Sequence, residues 1–133
     1  MDVRAIDHVN LRIPADGVDE ALGFYRDVLG FEPENLDRYE RGERPLFSVR
    51  LNESAVVHLR PDEAFTPPAG ESYDHVAVVV EASIDEVKRT LAEAGVDVER
   101  ESTPLGATGS APAVYVRDPF GYLLELKAAS DRD

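Results

Sequence analysis

Hydrophobic and polar residues follow the same order twice along the chain. Strand-like alternation opens each half in AIDHVNLRIP and SYDHVAVVVE, and an amphipathic segment then ends at Gly30 or Gly95 in VDEALGFYRDVLG and SIDEVKRTLAEAG. Shorter strand-like runs follow in LFSVRLNE and SAVVHLR, and in VDVERES, APAVYVRD and GYLLELK. Apolar residues at helical spacing predict one helix in each half, and Ser83 with Glu86 predicts a capping box at the second. The pattern therefore predicts strand, helix and strands in duplicate.

The histidines support this internal duplication. Asp7-His8-Val9 and Asp74-His75-Val76 stand 67 residues apart, and the same spacing relates the third histidine, His58, to Glu125. Three prolines and a glycine interrupt the pattern between the halves and indicate a connector. We divide a single domain, residues 1–133, into a first module at about 4–60, a connector at about 61–70, a second module at about 71–127 and a frayed tail at 128–133.

Four residues with metal-binding side chains share one face of the predicted strands. Because successive side chains point to opposite faces, His8, His58, His75 and Glu125 all lie away from the apolar face. Imidazole and carboxylate groups bind first-row divalent metals. One histidine on a strand is more often hydrogen-bonded or solvent-facing. Four such residues in a two-fold repeat instead predict a metal site, because coordination satisfies a glutamate that is costly to bury alone.

Charge and composition exclude several classes of partner. The formal net charge is −13, from 27 acidic and 14 basic residues, only two of which are lysines. Such a surface argues against nucleic-acid binding, which needs a basic face. It is typical of proteins from salt-rich cytoplasms, although a moderately acidic protein without salt adaptation would also show it. The sequence has no cysteine, which excludes thiolate ligands, and no membrane-length apolar stretch, so we expect a cytoplasmic protein without a membrane partner.

Several basic side chains are predicted on the same strand face as the candidate ligands, and their positive charge favours a small anionic substrate. For Arg60 and Lys127 we expect that the charged end reaches solvent beyond the strand end. For Arg12 and Arg50 substrate binding and solvent exposure remain equally open. Tyr73 and Tyr115 offer hydroxyl donors or simply pack. The candidate substrate-binding residues are Asn10, Arg12, Arg50, Tyr73 and Tyr115.

Four segments, DHVNLRI, ALGFYRDVLGFE, DHVAVVV and YVRDPFGYLLEL, resemble the vicinal oxygen chelate superfamily. This superfamily includes glyoxalase I, bleomycin resistance proteins, fosfomycin-type thiol transferases and extradiol dioxygenases. The resemblance extends from about Ala5 to Lys127 and implies an α+β fold of two tandem βαβββ modules, whose sheets form a cup around a metal. It also implies that His8, His75 and Glu125 are ligands, whereas His58 departs from the glutamate that many glyoxalases carry there.

The resemblance implies a metal-dependent enzyme that chelates two vicinal oxygens of its substrate. A glyoxalase-like lyase, isomerase or epimerase step ranks first. His58, Glu125 and Tyr115 are the catalytic candidates, and His58 acts either as a fourth ligand or as a base. One divalent ion is expected per site, with zinc, nickel, manganese and ferrous iron all open.

Three alternatives remain. The ring-cleaving pattern is met at Tyr115 and Glu125 but lacks the histidine expected before the tyrosine, and thiol transfer ranks beside it. A metal-free drug-binding protein would not need four ligand-type residues. For assembly we expect a homodimer with shared sites, each taking His8 and His58 from one subunit and His75 and Glu125 from the other; a site within one chain is the alternative.

Overall fold

The computed structural model describes residues 1–68 and 72–129. The chain divides into two compact units, Met1–Thr66 and Pro67–Asp133. None of the helices in the described part of the chain is long and apolar enough to span a membrane. Each unit contains its own four-stranded sheet.

In the sheet of the first unit, the first strand in sequence pairs with the last one. Its elements are β1 (His8–Pro14), α1 (Val18–Leu22) continuing as a π-helical segment (Gly23–Val28), β2 (Glu32–Glu34), α2 (Leu36–Glu40), β3 (Phe47–Asn52) and β4 (Ala55–Asp62). The strand order is β1-β4-β3-β2, with β1 parallel to β4 and the other pairs antiparallel. Alternate residues of β1 and β4 enter the core, where Ile13 and Leu59 are fully buried. Tyr25, from the π-helical segment, is also buried.

The second unit repeats this plan. Its elements are β5 (Val76–Val80), α3 (Ile84–Glu93), β6 (Arg100–Ser102), β7 (Leu105–Gly106), β8 (Gly109–Ser110), β9 (Ala113–Arg117) and β10 (Leu123–Ala128). The strand order is β5-β10-β9-β6, and β5 is parallel to β10 as β1 is to β4. The core includes Val114, Val116 and, from α3, Leu91. The α+β class and the duplicated βαβββ plan are therefore confirmed, with α2 added to the first unit and the β7–β8 hairpin to the second.

Local sequence signals account for the helix ends. The predicted capping box is confirmed, since the Glu86 amide donates to Ser83 Oγ at 3.2 Å and the Ser83 amide to Glu86 Oε2 at 3.3 Å. Gly95 has a φ of 73°, which suits the left-handed end of α3. The helix predicted over residues 18–30 differs from the expected α-helix after Leu22. Its backbone hydrogen bonds there span five residues instead of four, as from the Leu29 amide to the Phe24 carbonyl at 3.0 Å.

Two predicted boundaries need correction. The connector was expected from residue 61, but β4 continues to Asp62 because Pro61 lies in the parallel register opposite Ile13. The tail was expected to fray from residue 128, but Ala128 ends β10, is buried, and donates its amide to the Pro112 carbonyl at 2.9 Å. Residues 69–70 and 130–133 of these two segments lie outside the described residues.

Candidate metal centre

In the first unit, parallel pairing of β1 with β4 brings two histidines together. His8 begins β1 and His58 lies within β4, and their ring centroids are 4.3 Å apart. Nδ1 of His8 contacts Asp7 Oδ2 at 2.8 Å, and Nδ1 of His58 contacts Ser48 Oγ at 2.6 Å. Because these contacts engage Nδ1, the Nε2 atoms are the ones through which the two rings can bind a metal.

Ser48 holds the His58 ring, and burial with neighbouring charges sets the electrostatics of His58. Ser48 is buried on β3, directly opposite His58 in the antiparallel register. Burial lowers the pKa of His58, and the nearby His8 lowers it further, while Asp7 acts in the opposite direction. The neutral imidazole, which is the form that coordinates metals, is therefore favoured at position 58.

In the second unit, a histidine is held between two carboxylates. Nε2 of His75 lies 3.2 Å from Oε1 of Glu125, and Nδ1 of His75 contacts the Asp74 carboxylate. His75 immediately precedes β5, whereas the sequence pattern predicted it within the strand. Glu125 lies on β10 with only 4 % of its surface exposed. The hydrogen bond with His75 and then the charge of that ring lower the pKa of Asp74.

The donor atoms of the His75–Glu125 pair are spaced as two ligands of one divalent ion would be. Two ligand atoms at about 2.1 Å from one ion, with an angle between about 90° and 109°, are roughly 3.0–3.4 Å apart. The 3.2 Å between His75 Nε2 and Glu125 Oε1 falls in this range. Within the described parts of each unit, however, no group of three or more histidine, aspartate or glutamate side chains is arranged to hold a metal. The structure thus shows two pairs of candidate ligands, one in each unit.

The repeat extends to the residues that contact the candidate ligands. Asp7 and Asp74 each engage Nδ1 of the histidine that follows. The sequence contains a signal for this contact, because the aspartate belongs to the repeated tripeptide, but the pattern alone does not reveal its role. Ser48 was also missed, and it too had a signal, since it stands 67 residues before Tyr115 and both lie opposite a candidate ligand.

The predicted substrate residues are largely engaged within their own units. Arg12 donates from Nη1 to Asp62 Oδ2 at 2.7 Å, and Arg50 donates from Nη2 to Glu34 Oε1 at 3.0 Å. Asn10 is exposed on β1 and lies opposite His58 in the parallel register.

Tyr73 donates its hydroxyl to the Leu123 carbonyl at 2.9 Å. Burial raises the pKa of Tyr73 to about 12, with the charge of Asp118 adding to the effect. Tyr73 is therefore unsuited to proton transfer near neutral pH.

Lys127 corrects another expectation. We predicted that its ammonium would reach solvent, but Lys127 is 4 % exposed and Nζ donates to the Gly109 carbonyl at 2.6 Å. A β-carbon added at Gly106 would lie 2.6 Å from this Nζ, so the β7–β8 hairpin folds closely over the lysine. The sequence pattern did not predict this hairpin, and the hairpin is the reason why the Lys127 ammonium does not reach solvent.

Tyr115 links the ligand pair to an open groove in the second unit. It lies opposite Glu125 in the antiparallel register, and its ring centroid is 5.5 Å from that of His75. The groove has a volume of about 330 Å³, and Tyr73, Tyr115 and Arg100 are among the residues that line it. Arg100 was not among our candidates, because it stands on the three-residue strand β6 without apolar alternation around it.

Comparisons with known proteins agree with this architecture. Lactoylglutathione lyase of Salmonella typhimurium is 28% identical over 135 residues, covering 93% of this chain and 92% of that protein. Metallothiol transferase FosB of Shouchella clausii is 29% identical over 129 residues, covering 93% and 80%. The crystal structure of virulence protein STM3117 from Salmonella typhimurium has a TM-score of 0.75 at 24% identity, covers 98% and 100% of the two chains, and shows the shared fold. Residues 5–126 match the glyoxalase/bleomycin resistance protein/dioxygenase superfamily, and the chain therefore belongs to this vicinal oxygen chelate superfamily.

Proposed function

We propose that this protein is a metal-dependent enzyme that chelates two vicinal oxygens of a small substrate and catalyses a redox-neutral lyase or isomerase step of the glyoxalase type. The contact between His75 Nε2 and the buried Glu125 carboxylate carries the proposal. A carboxylate removed from water requires a cation or a strong donor. An imidazole oriented by a second carboxylate is a recurrent arrangement at metal sites.

The competing explanation of this contact is a metal-free ion pair. A doubly protonated His75 could donate to both Asp74 and Glu125 without any ion. That explanation leaves the His8–His58 pair of the first unit without a role, although its Nδ1 atoms are engaged in the same way. We therefore favour a metal, with His8, His58, His75 and Glu125 as the donor set.

The protein's own residues orient the donors and restrict their chemistry. A bound divalent ion would act as a Lewis acid, polarising the substrate oxygens and stabilising negative charge that develops on them. Asp7 and Asp74 fix their histidines through Nδ1, and Ser48 does so for His58. His58 can use Nε2 to coordinate or to take up a substrate proton, but not for both at once. Tyr115, opposite Glu125, is placed to contact the substrate.

We also propose that each site takes one pair of donors from each type of unit. Two donors alone leave most of a divalent ion's coordination sphere to water, whereas three or four protein ligands are usual in catalytic sites. A two-fold homodimer would combine His8 and His58 of one subunit with His75 and Glu125 of the other. Zinc, nickel, manganese and ferrous iron all accept this nitrogen and oxygen donor set.

Elemental analysis of protein purified without added metal tests the proposal. We expect about one divalent ion per chain in the wild type, and a sharp loss in His8→Ala and His75→Ala with the fold retained by circular dichroism. His58→Ala should lose turnover more than metal if His58 is the base, and should lose both equally if it is a ligand. Wild-type metal content in both His8→Ala and His75→Ala would overturn the metal centre and favour a metal-free binding protein.

Activity assays then separate the reaction classes. The relative named lactoylglutathione lyase makes the interconversion of lactoylglutathione with glutathione and a 2-oxoaldehyde the first reaction to test, measured as formation of lactoylglutathione. The relative named metallothiol transferase favours a second candidate, transfer of a thiol to a small electrophile such as fosfomycin. Iron in the purified protein together with oxygen consumption on catechols would instead promote ring cleavage. Turnover in any of these assays should disappear after metal removal by a chelator and return on adding the metal found by elemental analysis.

A further inference from the structure

The groove of the second unit is lined by several charged side chains that are not themselves among the proposed metal ligands. Besides Tyr73 and Tyr115, it is lined by two carboxylates, Asp74 and Glu99, and by two arginines, Arg100 and Arg117. Which of these charges is available to a ligand depends on the partners that each already has.

Three of the four charged groups are engaged inside the unit. Arg117 donates from Nε to Glu99 Oε1 at 2.8 Å and from Nη1 to the Gly121 carbonyl at 2.9 Å. The Asp74 carboxylate contacts Nδ1 of His75. These contacts leave Arg100 as the charged residue of the groove that forms no ion pair with a carboxylate within the described part of the unit. Its charge acts on the neighbouring Asp74 carboxylate and contributes to lowering the pKa of Asp74.

Arg100 is held in a defined position by an aromatic ring. Its guanidinium carbon lies 4.1 Å from the centroid of the Tyr115 ring, in a cation–π contact. The register places Arg100 opposite Tyr115, and Tyr115 opposite Glu125, so these three side chains share one face of the sheet. A guanidinium held against a ring still presents N–H donors at its edge, in the spacing that matches a carboxylate.

We infer that Arg100, supported by the Tyr115 ring, recognises a carboxylate of the substrate. The inference rests on the proposed function and narrows its substrate class to molecules with a carboxylate a few bonds from the two chelating oxygens. The separation follows from Tyr115, whose centroid is 4.1 Å from the guanidinium carbon and 5.5 Å from the His75 ring. Such a substrate would bind its metal-chelating end near His75 and Glu125 and its anionic end at Arg100.

Paired chelators test this inference without knowledge of the natural substrate. The monohydroxamates of succinic and glutaric acid carry one chelating end and one carboxylate, whereas butyrohydroxamate and valerohydroxamate end in a methyl group instead. Their binding to the zinc-loaded protein can be measured by calorimetry. We expect the carboxylate member of a pair to bind about ten-fold more tightly to the wild type. The preference should disappear in Arg100→Gln, persist in part in Arg100→Lys, and be unchanged in Arg89→Gln, an exposed arginine on α3.

The outcomes separate this inference from the proposed function. Equal binding of both members of each pair to the wild type, or an undiminished preference in Arg100→Gln, would overturn the carboxylate site and leave the metal centre standing. Failure of all four hydroxamates to bind in the presence of zinc would instead count against the metal centre. Because Arg100 is exposed on an edge strand, circular dichroism of both Arg100 variants should match the wild type.

Discussion

Replacing Glu125 with glutamine removes one charge and one oxygen donor from the second unit with almost no change in volume. The amide oxygen can still accept a hydrogen bond from His75 Nε2, which lies 3.2 Å from the present carboxylate. We therefore expect the metal-free variant to differ in unfolding free energy by no more than about 1 kcal/mol. If Glu125 is a ligand rather than a packing element, the effect should appear only when metal is added.

The size of the metal-dependent effect follows from linkage. Loss of a residue that merely orients a ligand typically weakens metal binding by about 10–100-fold, so loss of the ligand Glu125 should cost at least about 100-fold. With free metal at about 100 times the wild-type Kd, the wild type gains about 2.7 kcal/mol and the variant about 0.4 kcal/mol. For a domain of this size, 1 kcal/mol corresponds to about 3–5 °C in Tm. Metal should therefore raise Tm by about 8–13 °C in the wild type and by no more than about 2 °C in the variant.

Thermal denaturation followed by circular dichroism, at one protein concentration with and without metal, measures both values. Glu101→Gln is the matched control, since Glu101 lies exposed on β6 and pairs with Lys88 rather than with a histidine. The control should show the full metal-dependent rise. An equal rise in Glu125→Gln and in the wild type would refute the assignment of Glu125 as a ligand and support an ion pair with His75.

Three further predictions concern the ligand support, the assembly and the surface. Asp74→Ala should weaken metal binding by about 10–100-fold, measured by competition with a chelator, because His75 loses the contact that orients it; unchanged affinity would contradict this role. Mixing His8→Ala with Glu125→Gln chains should restore activity if dimeric sites are shared, because one site of the heterodimer is then intact, whereas heterodimers without activity would place each site in one chain. If the net charge of −13 is a salt adaptation, Tm should rise between about 0.05 M and 2 M potassium chloride as repulsion is screened, and a constant or falling Tm would exclude it.

Features of the fold that depend on local sequence could be predicted from it. Ser83 and Glu86 stand three residues apart, so their capping box involves one turn of chain and little else. Strand alternation correctly separated the buried Leu11 and Ile13 from the exposed His8. In each case the determining interaction lies within a few residues, where the periodicity of the chain fixes which side chains can meet.

Features that depend on distant partners could not be predicted in the same way. Arg12 pairs with Asp62 across the parallel strands, 50 residues away in sequence, and no local pattern indicates that contact. The burial of Lys127 requires the β7–β8 hairpin, whose strands of two residues each are too short to show alternation. These contacts matter for function, because they decide which cations of the predicted set remain available to a substrate.

The internal repeat predicts positions more securely than roles. Ser48 and Tyr115 occupy equivalent register positions opposite His58 and Glu125, yet one is a small hydroxyl that holds an imidazole and the other an aromatic ring that supports Arg100. The shared backbone therefore keeps the candidate ligands on one face of each sheet, while substitutions at equivalent positions give the units different chemistry. If the proposed metal joins the two kinds of pair, the first unit contributes neutral nitrogen donors and the second contributes both the charged donor and the groove. Substrate selectivity should then respond to changes at β6 and β9 more strongly than to changes at β2 and β3.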